Sequence, residues 1–259
     1  MKTAVVTGAS GGIGLETARA LLADGWQVVC LSRHACPLEG VRSIPCDITD
    51  SARVQAAFAA IDRVDLLVNN AGFGISGAVE CTGEAEMRRQ FDLNFFAWVT
   101  VIQAALPALR ESRGRILNIS SAAAVFSIPF QSFYSATKAA VESLTCALRS
   151  ELAPFGITVG ALRLGDVKTG FTAARQKSGS GDDLYAGRIA HSVAVMERDE
   201  QNGMPPAAIA AAVVRAAHKK RLPPVTTVGI KYKLLCGLNK LLPLSAVTAL
   251  VAKIYIPEK

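Results

Sequence analysis

Tyr134 and Lys138 stand four residues apart, a spacing that places both side chains on one face if the segment is helical. A phenol beside an ammonium can move protons. A free tyrosine titrates at about 10, too high for a base near neutrality, and a neighbouring positive charge favours the phenolate and lowers that value. Ser121 precedes Tyr134 by thirteen residues, at the end of an expected strand, where its hydroxyl could hydrogen-bond a substrate oxygen. Singly, each has an ordinary structural use, as a core-edge tyrosine, a solvated lysine or a loop-capping serine. His34, His191 and His218 fall outside every motif, so no serine–histidine or cysteine–histidine arrangement competes.

A second group is the run Thr7-Gly8-Ala9-Ser10-Gly11-Gly12-Ile13-Gly14, between a β-rich segment and a helical one. Gly8 permits a tight turn, Gly12 lets the backbone approach a pyrophosphate, and Gly14 permits close helix packing. A helix beginning here would aim unpaired N–H groups and its dipole at phosphates.

These groups need a frame, and the chain alternates strand-like and helix-like segments. Strands are predicted over 3–7, 27–32, 42–46, 65–69, 115–120 and 157–162. Helices are predicted over 14–24, 51–61 (with Asp50 as N-cap), 84–107 and 134–152. This order predicts an α/β fold: a doubly wound parallel sheet of Rossmann type in a single domain, with ligands at the carboxyl ends of its strands. Every candidate residue falls at such an end. The stretch 168–203, with its Ser-Gly-Ser-Gly-Asp-Asp centre, reads as a mobile substrate loop closing a catalytic domain over 1–203. Residues 204–259 read as a C-terminal helical extension of the same domain.

The spacing T-G-x-x-x-G-x-G resembles the short-chain dehydrogenase/reductase family rather than other dinucleotide folds. The resemblance continues through Asp47, Asn69-Asn70-Ala71-Gly72, Asn94, Ser121 and Tyr134-Ser135-Ala136-Thr137-Lys138, over residues 3–172 in order. It implies a hydride-transferring oxidoreductase interconverting a ketone or aldehyde and an alcohol. Tyr134 would be its proton donor or acceptor, Ser121 would hold the substrate oxygen, Lys138 the nicotinamide ribose, and Asn94 would support a proton relay through water. An oxidised nicotinamide would further favour the phenolate. Gly8, Ser10, Gly12, Ile13 and Gly14 would hold the pyrophosphate, Asp47 and Ile48 would flank the adenine, and Asn70, Ala71 and Gly72 would line the middle of the cofactor. Val167 and Thr169 stand where relatives contact the carboxamide. The pair before them is Leu164-Gly165 in place of the family's Pro-Gly, which predicts a looser loop. Relatives that choose NAD end the second strand with an acid; here Ser32 takes that place and Arg33 follows, a forked donor suited to a 2′-phosphate. The implied cofactor is NADP(H).

Composition bounds the rest. Six cysteines show no C-x-x-C pair and no metal-ligand spacing; they read as small buried hydrophobes, and no metal site is expected. No signal-peptide pattern and no uninterrupted apolar window of about 18 residues is visible, so a cytoplasmic protein is expected. The net charge of +7 belongs to residues 219–259, which hold eight Lys/Arg against Glu258. There the lysines alternate with leucines rather than aromatics, which argues against a nucleic-acid partner. This tail resembles steroid- and retinoid-type members, and it could line the mouth of a site for a bulky apolar substrate, complete a homodimer or homotetramer, or rest peripherally on a membrane. A reductase of small or carrier-bound keto substrates is the alternative. A non-catalytic NADP-binding sensor is the alternative from another class, although such proteins typically lose the Tyr or the Lys.

Overall fold

The computed structural model describes residues 1–177 and 180–256, so positions 178 and 179 of the Ser-Gly-rich centre lie outside the described residues. β1 (Thr3–Thr7) is buried at every position, as a strand covered on both faces must be. The glycine turn feeds α1 (Gly12–Ala23), which returns the chain to β2 (Gln27–Ser32), and β3 (Val41–Pro45) follows. Pro45 is tolerated because β3 is the outermost strand. Asp50 caps α2 (Ser51–Ala59), accepting from the N–H groups of Ala52 and Arg53 at 3.0 and 3.1 Å.

Next come β4 (Leu66–Asn69), α3 (Glu84–Phe91), α4 (Ala97–Ser112), β5 (Arg115–Ser121), α5 (Ser132–Leu152) and β6 (Thr158–Leu164). The chain then forms α6 (Arg188–Gln201), α7 (Pro206–His218), β7 (Val225–Thr227), α8 (Ile230–Asn239) and α9 (Leu244–Tyr255). All seven strands are parallel, in the order β3-β2-β1-β4-β5-β6-β7. The order reverses between β1 and β4, which makes the ends of those strands the switch-point crevice.

The structure departs from the sequence reading in several places. The helix expected over 84–107 is two helices joined by a π turn, Asp92–Phe96, and it continues past Pro107 to Ser112. By length and composition Glu84–Ser112 would reach across a membrane, but Trp98, Val101, Ile102, Ala105 and Leu109 are buried in the core. The stretch 168–203 is not structureless. It holds a one-turn helix (Phe171–Ala174), a short strand (Gln176–Lys177) paired with Ile75–Ser76, and the fourteen-residue α6. The seventh strand lies where two prolines had masked it. Gly160, odd inside a strand, makes room for Leu222: a Cβ there would lie 2.5 Å from the Leu222 Cδ2.

Cys30, Cys36, Cys46 and Cys236 are buried as expected, but Cys146 is exposed and Cys81 only half-buried. The inward position on α5 is Thr145, whose hydroxyl donates to the Val141 carbonyl at 2.7 Å and accepts from Asn118 Nδ2 at 2.9 Å. Asn118 Oδ1 in turn accepts from Asn69 Nδ2 at 3.0 Å, joining directly paired residues of β4 and β5.

Candidate active site

At the carboxyl ends of β1 and β4, the Thr7 hydroxyl accepts from the N–H groups of Asn70 and Ala71 at 2.9 and 3.1 Å, and Asn70 Nδ2 donates to the Thr7 carbonyl at 3.0 Å. This seats the glycine turn against the Asn70-Ala71-Gly72 loop. Gly8 and Gly12 have φ of +70° and +55°, a region that favours glycine. A Cβ at Gly14 would lie 2.3 Å from the Gly8 carbonyl oxygen and 2.6 Å from Asn70 Nδ2. Gly14 thus serves the turn itself more than packing against the sheet. The first turn of α1 carries no acidic side chain, so its unpaired N–H groups suit the phosphates of a dinucleotide.

One cavity of about 960 Å³ runs from this turn across the sheet ends. Of the residues singled out in the sequence, Gly8, Ser10, Gly12, Ile13, Arg33, Asp47, Ile48, Asn70, Ala71, Gly72, Ser121, Tyr134, Lys138, Gly165, Val167 and Thr169 all line it. Gly14 and Asn94 do not. Asn94 is fully buried behind the wall, where Nδ2 donates to the Phe73 carbonyl at 2.9 Å and Oδ1 accepts from its N–H at 3.1 Å. Its side chain clamps the loop after Gly72, and the π turn places it there.

Arg33 is exposed at one end of the cavity. Asp47 lies near enough for Arg33 to help lower its pKa, but the larger causes are hydrogen bonds from Thr49, whose hydroxyl donates at 2.7 Å. An acid therefore stands closer to Arg33 than the strand-end sequence suggested, though it is already engaged.

Tyr134 is half-buried beside Ser121, and its ring meets that of Phe171 with 5.7 Å between centroids. Burial pushes the phenol up to about 12, against the lowering effect of the Ser121 hydrogen bond; Glu200 raises it further and Arg175 opposes. Lys138 is almost wholly buried. Its Nζ donates to the Ile119 carbonyl at 2.9 Å and sits 4.6 Å from the Trp98 ring centroid, nearer than the 5.6 Å to that of Tyr134. Burial pushes this ammonium down to about 7, partly offset by Glu142. Burial is thus the largest influence on the phenol in the protein without cofactor, and the charges that act on it are those of Glu200 and Arg175.

The loop that follows Leu164-Gly165 is tied to the segment around Met204. Met204 N–H donates to the Asp166 carbonyl at 2.9 Å, and Lys168 N–H donates to the Met204 carbonyl at 2.9 Å. The Tyr232 ring lies against Gly165, and its hydroxyl donates to Asp166 Oδ2.

The sequence reading allowed the C-terminal tail to line the substrate mouth but named no residue at this far end of the cavity. Phe171, Glu200 and Met196 contribute from the segment read as a loop; Tyr232, Leu235, Leu238, Val247, Leu250, Val251 and Ile254 contribute from α8 and α9. Glu200 is held by Arg175, whose side chain is fully buried, and by the Thr172 hydroxyl at 2.7 Å. In α6 the signal was present: Ile189, Val193 and Met196 recur at helical spacing and are buried.

The short chain dehydrogenase family model matches residues 2–179. The chain is 40% identical over 245 residues to 3-ketodihydrosphingosine reductase of Bacteroides thetaiotaomicron, covering 91% of each. It is 34% identical over 267 residues to a probable short-chain type dehydrogenase/reductase, VdlC, of Helicobacter pylori, covering 99% of this chain and 98% of that one. The solved structure of a short-chain dehydrogenase from Streptomyces avermitilis matches at a TM-score of 0.82 and 33% identity, covering 97% of this chain and 95% of that one. The protein belongs to the short-chain dehydrogenase/reductase family. It is an oxidoreductase that interconverts alcohol and carbonyl groups with NAD(P).

Proposed function

We propose that the protein is an NADP(H)-dependent reductase of a ketone carried on a bulky apolar substrate. The observation that carries this reading is the shape of the cavity. Beyond Tyr134 it continues into an end built largely of leucine, valine and isoleucine from α8 and α9, which suits an alkyl chain or fused rings rather than a small polar ketone. The relative that reduces 3-ketodihydrosphingosine, matched along nearly its whole length, supports a lipid-like substrate.

When bound, the nicotinamide would supply or accept the hydride. The Tyr134 hydroxyl gives its proton to the substrate oxygen in reduction and takes it back in oxidation, and the Ser121 hydroxyl holds that oxygen. Lys138 serves the nicotinamide ribose, and its ammonium, together with the positive nicotinamide of the oxidised cofactor, favours the phenolate that burial disfavours. Asn94 keeps the Phe73 backbone in place and, through it, the loop from Asn70 to Gly72. Arg33 pairs with the 2′-phosphate. Assembly as a dimer or tetramer and a cytoplasmic setting with peripheral membrane contact belong to the same reading, as does closure of the site by residues 168–203.

Steady-state turnover of NADPH and NADH against a ketone series of increasing chain length tests it. NADPH should be preferred, and KM should fall as the chain lengthens. Arg33→Asp should reverse the cofactor preference, since losing a charge-assisted pair costs about 1.5–3 kcal/mol, or roughly 10- to 150-fold in affinity. Preference of the unaltered enzyme for NADH would remove Arg33 from this role. A KM indifferent to chain length would remove the apolar substrate.

A further inference from the structure

The α8–α9 hairpin leaves its apolar residues outside. Among the described residues, eight of the thirteen large apolar side chains left exposed lie in it, including Leu241 at 82%, Leu244 and Ile230 at 78%, and Leu234 at 70%. Ile230, Leu234 and Leu238 recur every fourth residue, a stripe turned away from buried Cys236. Monomeric soluble proteins rarely leave so many apolar side chains together in water. Residues 230–256 also hold four lysines and no acid, and all four lysines are exposed.

The patch is continuous with the cavity. Leu235, Leu238, Leu250 and Ile254 line the cavity and are also more than 40% exposed, so they form its mouth. An alkyl chain leaving the site would pass directly onto the exposed stripe.

We propose that this hairpin docks on an anionic lipid bilayer with the cavity mouth facing the acyl chains, so that the substrate reaches Tyr134 from the membrane. Leu241 and Leu244, at the turn between the helices, enter the headgroup boundary, and Lys233 and Lys240 meet the anionic headgroups. A second copy of the chain is the poorer occupant. A two-fold contact through this face would bring Lys233 and Lys240 of one copy near those of the other, and residues 230–256 hold no acid to set between them. The docking deepens the peripheral membrane contact of the reading above by naming its surface and lipid charge, and the route for substrate rests on that reading's apolar ketone.

The full-length enzyme should sediment with phosphatidylcholine vesicles containing phosphatidylglycerol, bind vesicles of phosphatidylcholine alone much less, and be released by salt. Lys233→Gln with Lys240→Gln should weaken binding about 25-fold, at about fivefold for each lysine. Leu241→Ser with Leu244→Ser should weaken it by about 100-fold or more. None of these four side chains lines the cavity. Both variants should therefore keep the kcat/KM of the parent on a short water-soluble ketone while their KM for a long-chain ketone carried in vesicles rises at least tenfold. Docking is overturned if the parent fails to bind anionic vesicles at low salt, or if the leucine variant binds them as well as the parent does. It is also overturned if the parent is a dimer that this variant dissociates without any vesicle binding. Normal vesicle binding with no turnover of any ketone would leave docking standing and sink the substrate reading instead.

Discussion

Lys138→Met should flatten a pH dependence of folding that the buried ammonium creates. Lys138 is 4% exposed, and its pKa falls from the usual 10.5 to about 7 in the folded protein. Between those values the unfolded chain holds a proton that the folded chain lacks, so stability rises with pH across the window. Linkage over the whole window corresponds to about 5 kcal/mol, of which roughly half falls between pH 6 and pH 9. Methionine has nearly the same length and carries no charge, so this contribution vanishes while the packing against Trp98 is largely kept. Tyr134 does not confuse the comparison, since its value is moved upward and affects stability only near pH 10 and above. The assay is urea unfolding of the cofactor-free parent and variant at half-unit steps from pH 6 to pH 9. The parent should gain roughly 2–3 kcal/mol relative to the variant, and the variant should be the more stable protein at pH 6. Two curves that stay parallel within about 0.5 kcal/mol would refute the claim that burial depresses Lys138.

Tyr134→Phe should lower kcat by about 100-fold or more, the usual size of lost acid–base catalysis, with NADPH affinity by fluorescence nearly unchanged. Gly160→Ala should cost about 1–3 kcal/mol in urea unfolding, because the new methyl would lie 2.5 Å from Leu222 Cδ2 and 3.0 Å from the Pro223 carbonyl oxygen, so the buried Leu222 must shift. A maleimide should label Cys146 first among the six cysteines, seen by peptide mass mapping, and turnover should survive, since Cys146 lies outside the cavity wall.

The parts of the protein legible in its sequence are those where one residue type answers one local demand. Gly8, Gly12 and Gly14 each stand where a side chain would be strained or collide, so the turn announced itself. Asp50 announced α2 in the same way, through a cap its carboxylate makes with two N–H groups. What stayed hidden depends on distant partners. Gly160 is explained by Leu222, some sixty residues on, and the inward place beside exposed Cys146 is held by Thr145, whose hydroxyl bonds Asn118. The burial of the Tyr134 phenol was also invisible, since a spacing of four residues fixes a neighbour and says nothing of desolvation. The run of serine, glycine and aspartate near 180 led the whole of 168–203 to be read as a loop, over the helical period of Ile189, Val193 and Met196. The basic, apolar tail was read as a possible lining of the substrate mouth, but which of its residues face the cavity needed the fold of α8 and α9.

The hydrogen bonds from Asn69 through Asn118 to Thr145 have a consequence for how the enzyme can vary. Asn69 and Asn118 are opposite one another on neighbouring strands, one residue before the Asn70-Ala71-Gly72 loop and three before Ser121. Shifting either strand by one position would put its amide on the other face of the sheet and leave the partner amide buried without its bond. The pair therefore works as a key that fits a single alignment, tying the part of the cavity that takes a dinucleotide to the part that holds the reacting oxygen. Apolar residues of equal size at both positions would keep the volume of the core and lose that key. Such a double variant could melt at the parent's temperature and yet hold Ser121 less firmly in line with the Asn70-Ala71-Gly72 loop.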